Sequence, residues 1–285
     1  MGDFMNKTMS AIKGAICALS MVTVVSVSAM DKTKDLFDAI WAGKLATAVQ
    51  LLVDRGADPN GVCDTHGCHK NMPLFLAIEI SRIAMVKLLC LAGARLDATN
   101  AAKQTPLKYA KACNYPKAWW ADRKNHQPQK VVDFLEGFST AGYLSKVKDE
   151  SKNTTRKTYA LCHAASVGDL EMAIDLAAEG VDPNGVGSAP GSRQNTPIFC
   201  AIERGQLAMV GLLCLLGARV NEKNANGQTP LAYARDLNDQ RIAYAALERQ
   251  NPPTDITAGF CLFSTSSGGS SLPGIIRFLE SKDAK

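Results

Sequence analysis

Aromatic side chains are scarce in this sequence: they make up 6% of its 285 residues, with only 3 Trp. Sandwiches and barrels draw on Val, Tyr and Phe, so an all-β fold is excluded at the outset. An excess of one charge is lacking too. The 32 Lys and Arg stand against 27 Asp and Glu, and the resulting +5 is not gathered into dense basic runs. A nucleic-acid stripe or a polybasic membrane patch is therefore not expected. Catalytic signatures are absent: there is no G-x-S-x-G, no H-E-x-x-H and no Gly-rich phosphate loop followed by Lys and Ser or Thr. Ser145 to Lys148 spells S-x-x-K and Ser151 to Asn153 spells S-x-N. The cell-wall serine enzymes that use those patterns add K-T-G on a strand, whereas Lys157 and Thr158 are followed by Tyr159. His163 stands beside Cys162 with no acid fixed next to it. The chain is not expected to be an enzyme, and no residue is named catalytic.

With 46% hydrophobic and 21% charged residues, the chain has the composition of an ordinary globular protein, and its Ala and Leu content tilts it toward helix. The first residues have a different character. Lys7 and Lys13 precede the apolar run Ala15 to Val25, and Val27 and Ala29 place small residues where a signal peptidase cuts. That run falls short of the roughly 20 residues that cross a bilayer core. Residues 1–29 read as a cleaved secretory signal peptide, with a periplasmic destination and no membrane insertion after cleavage. Cleavage removes Asp3, Lys7, Lys13 and Cys17, leaving a charge of +4 and eight cysteines for an oxidising compartment.

The most informative feature is self-similarity. Gly56 to Val62 recurs as Gly180 to Val186, and the offset of 124 continues without a gap to Ala110 and Ala234, with more than half of the positions identical. The chain reads as an internal duplication. Each half holds a shorter period. Gln104-Thr105-Pro106-Leu107 recurs as Gln228-Thr229-Pro230-Leu231, with variants at Asn195-Thr196-Pro197 and Met72-Pro73-Leu74. Runs such as Met85 to Ala94 and Met209 to Ala218 follow, each ending in Gly-Ala.

Thr before Pro supplies an N-cap side chain and a preset φ at a position with no helical N–H partner. Gly93 and Gly217 can end a helix in the left-handed conformation. Ala77, Ala110, Ala164, Ala201 and Ala234 are small where neighbouring helices approach. These motifs resemble the T-P-L-H-x-A and V-x-x-L-L-x-x-G-A signatures of ankyrin repeats. The resemblance implies an all-α ankyrin-repeat solenoid, here two tandem three-repeat modules. The units run over 35–67, 71–100 and 104–137, then 159–192, 195–224 and 228–280. Module 1 occupies 30–138 with an insertion at 113–127, and module 2 occupies 159–285 with an insertion at 250–273. The stretch 139–158, rich in Lys and Arg, reads as a linker or a solvated helix, so the expected shape is two stacks joined by a hinge.

Cys63, His66, Cys68 and His69 crowd one hairpin. A Cys63–Cys68 disulfide, free thiols and a metal site are all open there, but structural zinc sites draw ligand pairs from separate elements. The equivalents Gly187, Pro190, Ser192 and Arg193 lack the ligands, so no metal or cofactor is expected. Cys162 and Cys200 fall on first helices of adjacent units and form a second disulfide candidate.

Ankyrin proteins, by the same resemblance, are binding scaffolds. The insertions carry the side chains that dominate interfaces: Tyr115, Trp119, Trp120 and Arg123 in the first, Phe260 and Phe263 in the second. They are read either as partner contacts or as caps on their own modules. The signal peptide, paired modules and cysteines together resemble the periplasmic self-protection ankyrin proteins of predatory bacteria. That resemblance implies binding and restraint of a secreted peptidoglycan DD-endopeptidase of the penicillin-binding class, in one or two copies. Two alternatives stay open: a secreted effector that binds host proteins, and a metal or redox protein built on the Cys/His hairpin.

Overall fold

The computed structural model describes residues 32–62, 72–113, 128–140, 151–186, 196–250 and 272–283. Among them every regular element is helical. In chain order these are α1 (32–42), α2 (Leu45–Val53), α3 (Pro73–Glu79), α4 (Ile83–Leu91), α5 (Pro106–Cys113), α6 (Pro128–Thr140), α7 (Ser151–Val167), α8 (Leu170–Ala178), α9 (Pro197–Glu203), α10 (Leu207–Leu215), α11 (Pro230–Gln250) and α12 (Leu272–Asp283). The odd-numbered helices are the first helices of six repeats and the even-numbered ones the second. The expected linker is helical at both ends, since α6 runs to Thr140 and α7 already begins at Ser151.

Local chemistry explains the boundaries. Pro73 and Pro197 open α3 and α9 in the first turn. Thr105 and Thr229 cap their helices through Oγ1, accepting from Lys108 N at 3.5 Å and Ala232 N at 3.3 Å, whereas Thr196 makes no such bond. Gly93 and Gly217 take φ of +89° and +91° just past α4 and α10. The five spacer alanines are all buried, which lets successive first helices close on one another.

The Asp-Pro-Asn-Gly motif acts between repeats. Asn60 Nδ2 donates to Gly93 O at 3.1 Å, and its Oδ1 accepts from Arg95 N at 2.7 Å. Asn184 repeats both bonds with Gly217 and Arg219, at 3.1 and 2.8 Å. One side chain thus ties the end of one repeat to the end of the next. Gly61 is required beside it: a Cβ there would lie 2.8 Å from Thr33 Oγ1, and Gly185 is confined in the same way by Thr158. Asn60→Ala and Asn184→Ala are each expected to cost about 1–2 kcal/mol, two net hydrogen bonds at an exposed turn. Urea unfolding followed by circular dichroism checks this.

The two halves meet through their second helices. α2 packs on α10, and α4 packs on α8. Since α2 and α8 hold equivalent places in the two halves, as do α4 and α10, one contact repeats the other about an approximate two-fold. The sequence of α10, Leu207-Ala-Met-Val-Gly-Leu-Leu-Cys-Leu215, is apolar on every face, and α4 is nearly so. A helix of that kind must be covered all round. Its own module covers one side and the other half covers the opposite side. A Cβ on Gly211 would lie 3.6 Å from Val49 Cγ1 and 3.9 Å from Val53 Cγ1, which measures how closely α10 seats on α2. At the position equivalent to Gly211, Lys87 crosses the joint instead. Its Nζ lies 2.9 Å from Asp175 Oδ1 and 5.6 Å from the centre of the Phe134 ring. The core is one cluster running from Leu36 to Leu279. The expected hinge between separate stacks is therefore replaced by a back-to-back junction, because apolar second helices bury more surface against each other than against water.

Candidate partner-binding surface

With α2, α4, α8 and α10 engaged at the junction, exposed side chains stand on the first helices α1, α5, α7 and α11 and on the turns, while α3 and α9 are almost wholly covered. The first helices are seated by matched aromatic contacts. Phe75 meets Tyr109 edge to face at 5.6 Å and 67°, and Phe199 meets Tyr233 at 5.6 Å and 68°. Both Phe side chains are almost wholly buried. Against this rigid backing stand exposed apolar side chains: Trp41 (59% exposed), Tyr159 (47%) and Val167 (61%) on α1 and α7, with Val62 and Val186 on equivalent turns. Large apolar groups held in water on a rigid row are the usual anchors of a protein interface.

Charge on these helices is mixed in sign. Lys111 pairs with Glu136 at 2.7 Å and Arg235 with Glu280 at 2.7 Å, linking first to second helices within the third and sixth repeats. A cavity of about 360 Å³ at the first repeat is lined by Asp35, Asp38, Lys44 and Arg55 among others. A larger groove of about 530 Å³ lies where the end of α2 meets α12, with Asp54, Arg277 and Lys282 on its walls. Burial raises the Asp54 carboxyl from its ordinary value, and Lys282 and Arg55 oppose that shift. Lys282 also sits in the last turn of α12, where a cation meets the helix C-terminus favourably.

Both insertions spring from first helices. Cys113 closes α5 at the start of the first, beside Tyr109 and Glu79; burial raises the Cys113 thiol, and burial followed by Glu79 raises the Tyr109 hydroxyl. The second departs from α11, which runs to Gln250 where the equivalent α5 stops at Cys113. The extension is pinned by the Arg241 guanidinium, which donates to Glu203 O at 3.0 Å, and it exposes Ile242 and Tyr244. Its signal in the sequence is an unbroken run of helix formers with no Gly or Pro between Leu231 and Asn251.

Tyr115, Trp119, Trp120, Arg123, Phe260 and Phe263 lie outside the described residues, as do Cys63, His66, Cys68 and His69. Among the described residues no group of three or more His, Cys, Asp or Glu is gathered for a metal, and no helix is long and apolar enough to cross a membrane. Lys157 and Thr158 lie within α7, so the strand-borne K-T-G required by the serine enzymes is missing there. Cys162 and Cys200, the second disulfide candidate, stand as free thiols linked by a side-chain hydrogen bond.

The helix pairs, their Thr-Pro starts and their Gly-ended second helices define an all-α ankyrin-repeat fold. Residues 161–255 match the family profile described as Ankyrin repeats (3 copies). The chain is 33% identical over 125 residues to the ARF GTPase-activating protein Git of Drosophila melanogaster, covering 44% of this chain and 16% of that protein. It is 29% identical over 108 residues to ARF GTPase-activating protein GIT2 of Mus musculus, covering 38% and 15%. The human GIT2 gives 28% over 109 residues. The chain spans about one sixth of the curated relatives it matches, and what it shares with them is a repeat segment. Ankyrin repeats imply a protein-binding module.

Proposed function

We propose that the protein is an exported, non-catalytic binding module that engages another protein through its first-helix faces. Its partner is read as a secreted peptidoglycan hydrolase of the DD-endopeptidase, penicillin-binding class, whose cleft it occludes as self-protection. The observation that supports the binding reading is the set of large apolar side chains held in water on both halves: Trp41 on α1 and Val62 in the first, Tyr159 and Val167 on α7 and Val186 in the second. One such set on each half suits one partner on each. Export and the class of partner rest on the pattern of residues 1–29 and on the resemblance drawn from the sequence.

The test is affinity capture from a periplasmic extract of the native organism with residues 30–285, beside the double variant Trp41→Ala, Tyr159→Ala. Recovery of a peptidoglycan hydrolase that the double variant loses, together with inhibition of its activity on purified peptidoglycan, is the expected result. Capture of no periplasmic protein by the unmodified chain overturns it.

A further inference from the structure

We infer that Cys162 and Cys200 are a redox pair that closes to a disulfide, clipping the first helix of the fourth repeat to the first helix of the fifth. The placement comes from comparing the two halves. Thr33 lies against Gly61 as Thr158 lies against Gly185, so α1 and α7 share a register in which Cys162 takes the place of Phe37. By the offset of 124, Cys200 takes the place of Leu76. All four keep the burial of their counterparts: Phe37 and Cys162 are 3% and 5% exposed, and Leu76 and Cys200 are half-buried against the core. Both positions are thus apolar packing sites in one half and cysteines in the other. A single Cys in place of Phe loses packing with no return, whereas two that meet across packed helices gain the possibility of a covalent bond.

Two other described thiols are a useful contrast. Cys90 and Cys214 hold equivalent places on α4 and α10, where burial pushes each up to about 12 and keeps it protonated and inert. Cys200 differs in kind. The S–H of Cys162 holds its thiol below the ordinary value, against burial and the nearby Glu203. Cys200 is also the more accessible of the two, half-buried where Cys162 is buried, so an oxidant reaches it first.

The chemistry balances with a disulfide-bearing oxidant, either a small-molecule disulfide or a disulfide-carrying oxidoreductase. The Cys200 thiolate attacks one sulfur of the oxidant, whose S–S bond breaks and releases one thiolate. The Cys162 sulfur, on losing its proton, then displaces the second. The chain gives up two electrons and two protons, and the oxidant leaves as two thiols. The bond closes the chain segment between α7 and α9, so it restricts the unfolded state and fixes two neighbouring first helices of the partner surface.

The test equilibrates residues 30–285 with graded mixtures of reduced and oxidised glutathione, quenches in acid, alkylates, and maps peptides without reduction. A cross-linked peptide joining Cys162 to Cys200 is expected, with the melting temperature raised by about 5 to 10 °C over the reduced form. The variant Cys162→Phe, Cys200→Leu, which restores the side chains of the first half, is expected to fold and to lose this bond and its rise in melting temperature. The inference is overturned if both thiols stay alkylatable at every ratio, or if Cys200 is found joined to any other cysteine.

Discussion

Val49→Asp is expected to unfold both halves of the chain together, not the first half alone. Val49 is fully buried and lies beside Gly211 at the α2–α10 contact. A carboxylate there would be enclosed in the apolar α2–α10 contact, and burying an unpaired charge costs about 3–5 kcal/mol. That is a large share of the roughly 5–15 kcal/mol that holds a folded domain. Thr47 is exposed on the same helix, so Thr47→Asp is expected to stay within about 0.5 kcal/mol of the unmodified protein. Thermal unfolding by circular dichroism, with calorimetry alongside, reads the result. One transition in the unmodified chain that moves down as a whole in Val49→Asp shows the halves to be coupled through the junction. Two separate transitions, only the first of them shifted, would show that each half stands alone and that the shared core contributes little.

The α2–α10 contact was written in the sequence but was harder to read than the repeats. Thr-Pro pairs, terminal glycines and small alanines mark single helices, and each acts within a turn or two of its own position. The repeat boundaries were legible for that reason. Helix α10 carried a different signal, Leu or another apolar residue at every position from Leu207 to Leu215. Such a run states that the helix is covered on all sides and leaves unsaid by what, because the covering helix α2 lies more than 150 residues earlier in the chain. The Lys-rich stretch before Tyr159 read as a linker or a solvated helix, and its second part is helix: the eight residues from Ser151 to Thr158 contain no Gly or Pro, and α7 propagates through them from its packed C-terminal part. The candidate surface was legible only in part. Length and composition drew attention to the two insertions, whose residues lie outside the described ones, while Trp41 was passed over because a single aromatic at the end of a helix carries no periodic mark.

Phe75→Ala and Phe199→Ala are expected to cost about 3–5 kcal/mol each, and the same amount to within about 1 kcal/mol of one another. Each ring is almost completely buried, and each meets its Tyr at the same distance and nearly the same angle. The loss has two parts: the apolar area returned to water, and a cavity that the flanking helices cannot collapse into, because Ala77 and Ala110 on one side and Ala201 and Ala234 on the other already sit at closest approach. Tyr109→Phe and Tyr233→Phe keep the ring contact and are expected to cost far less than either alanine variant. Chemical denaturation of the four variants gives the comparison directly. Equal losses at Phe75 and Phe199 mean that the two halves support their first helices by the same packing, so that differences in partner binding between them come from exposed side chains such as Trp41 and Tyr159 and not from the scaffold. A loss at Phe199 well above that at Phe75 would locate a weaker scaffold in the second half, the half in which Cys162 and Cys200 stand where the first has Phe37 and Leu76, and closing the disulfide would then be expected to reduce the difference.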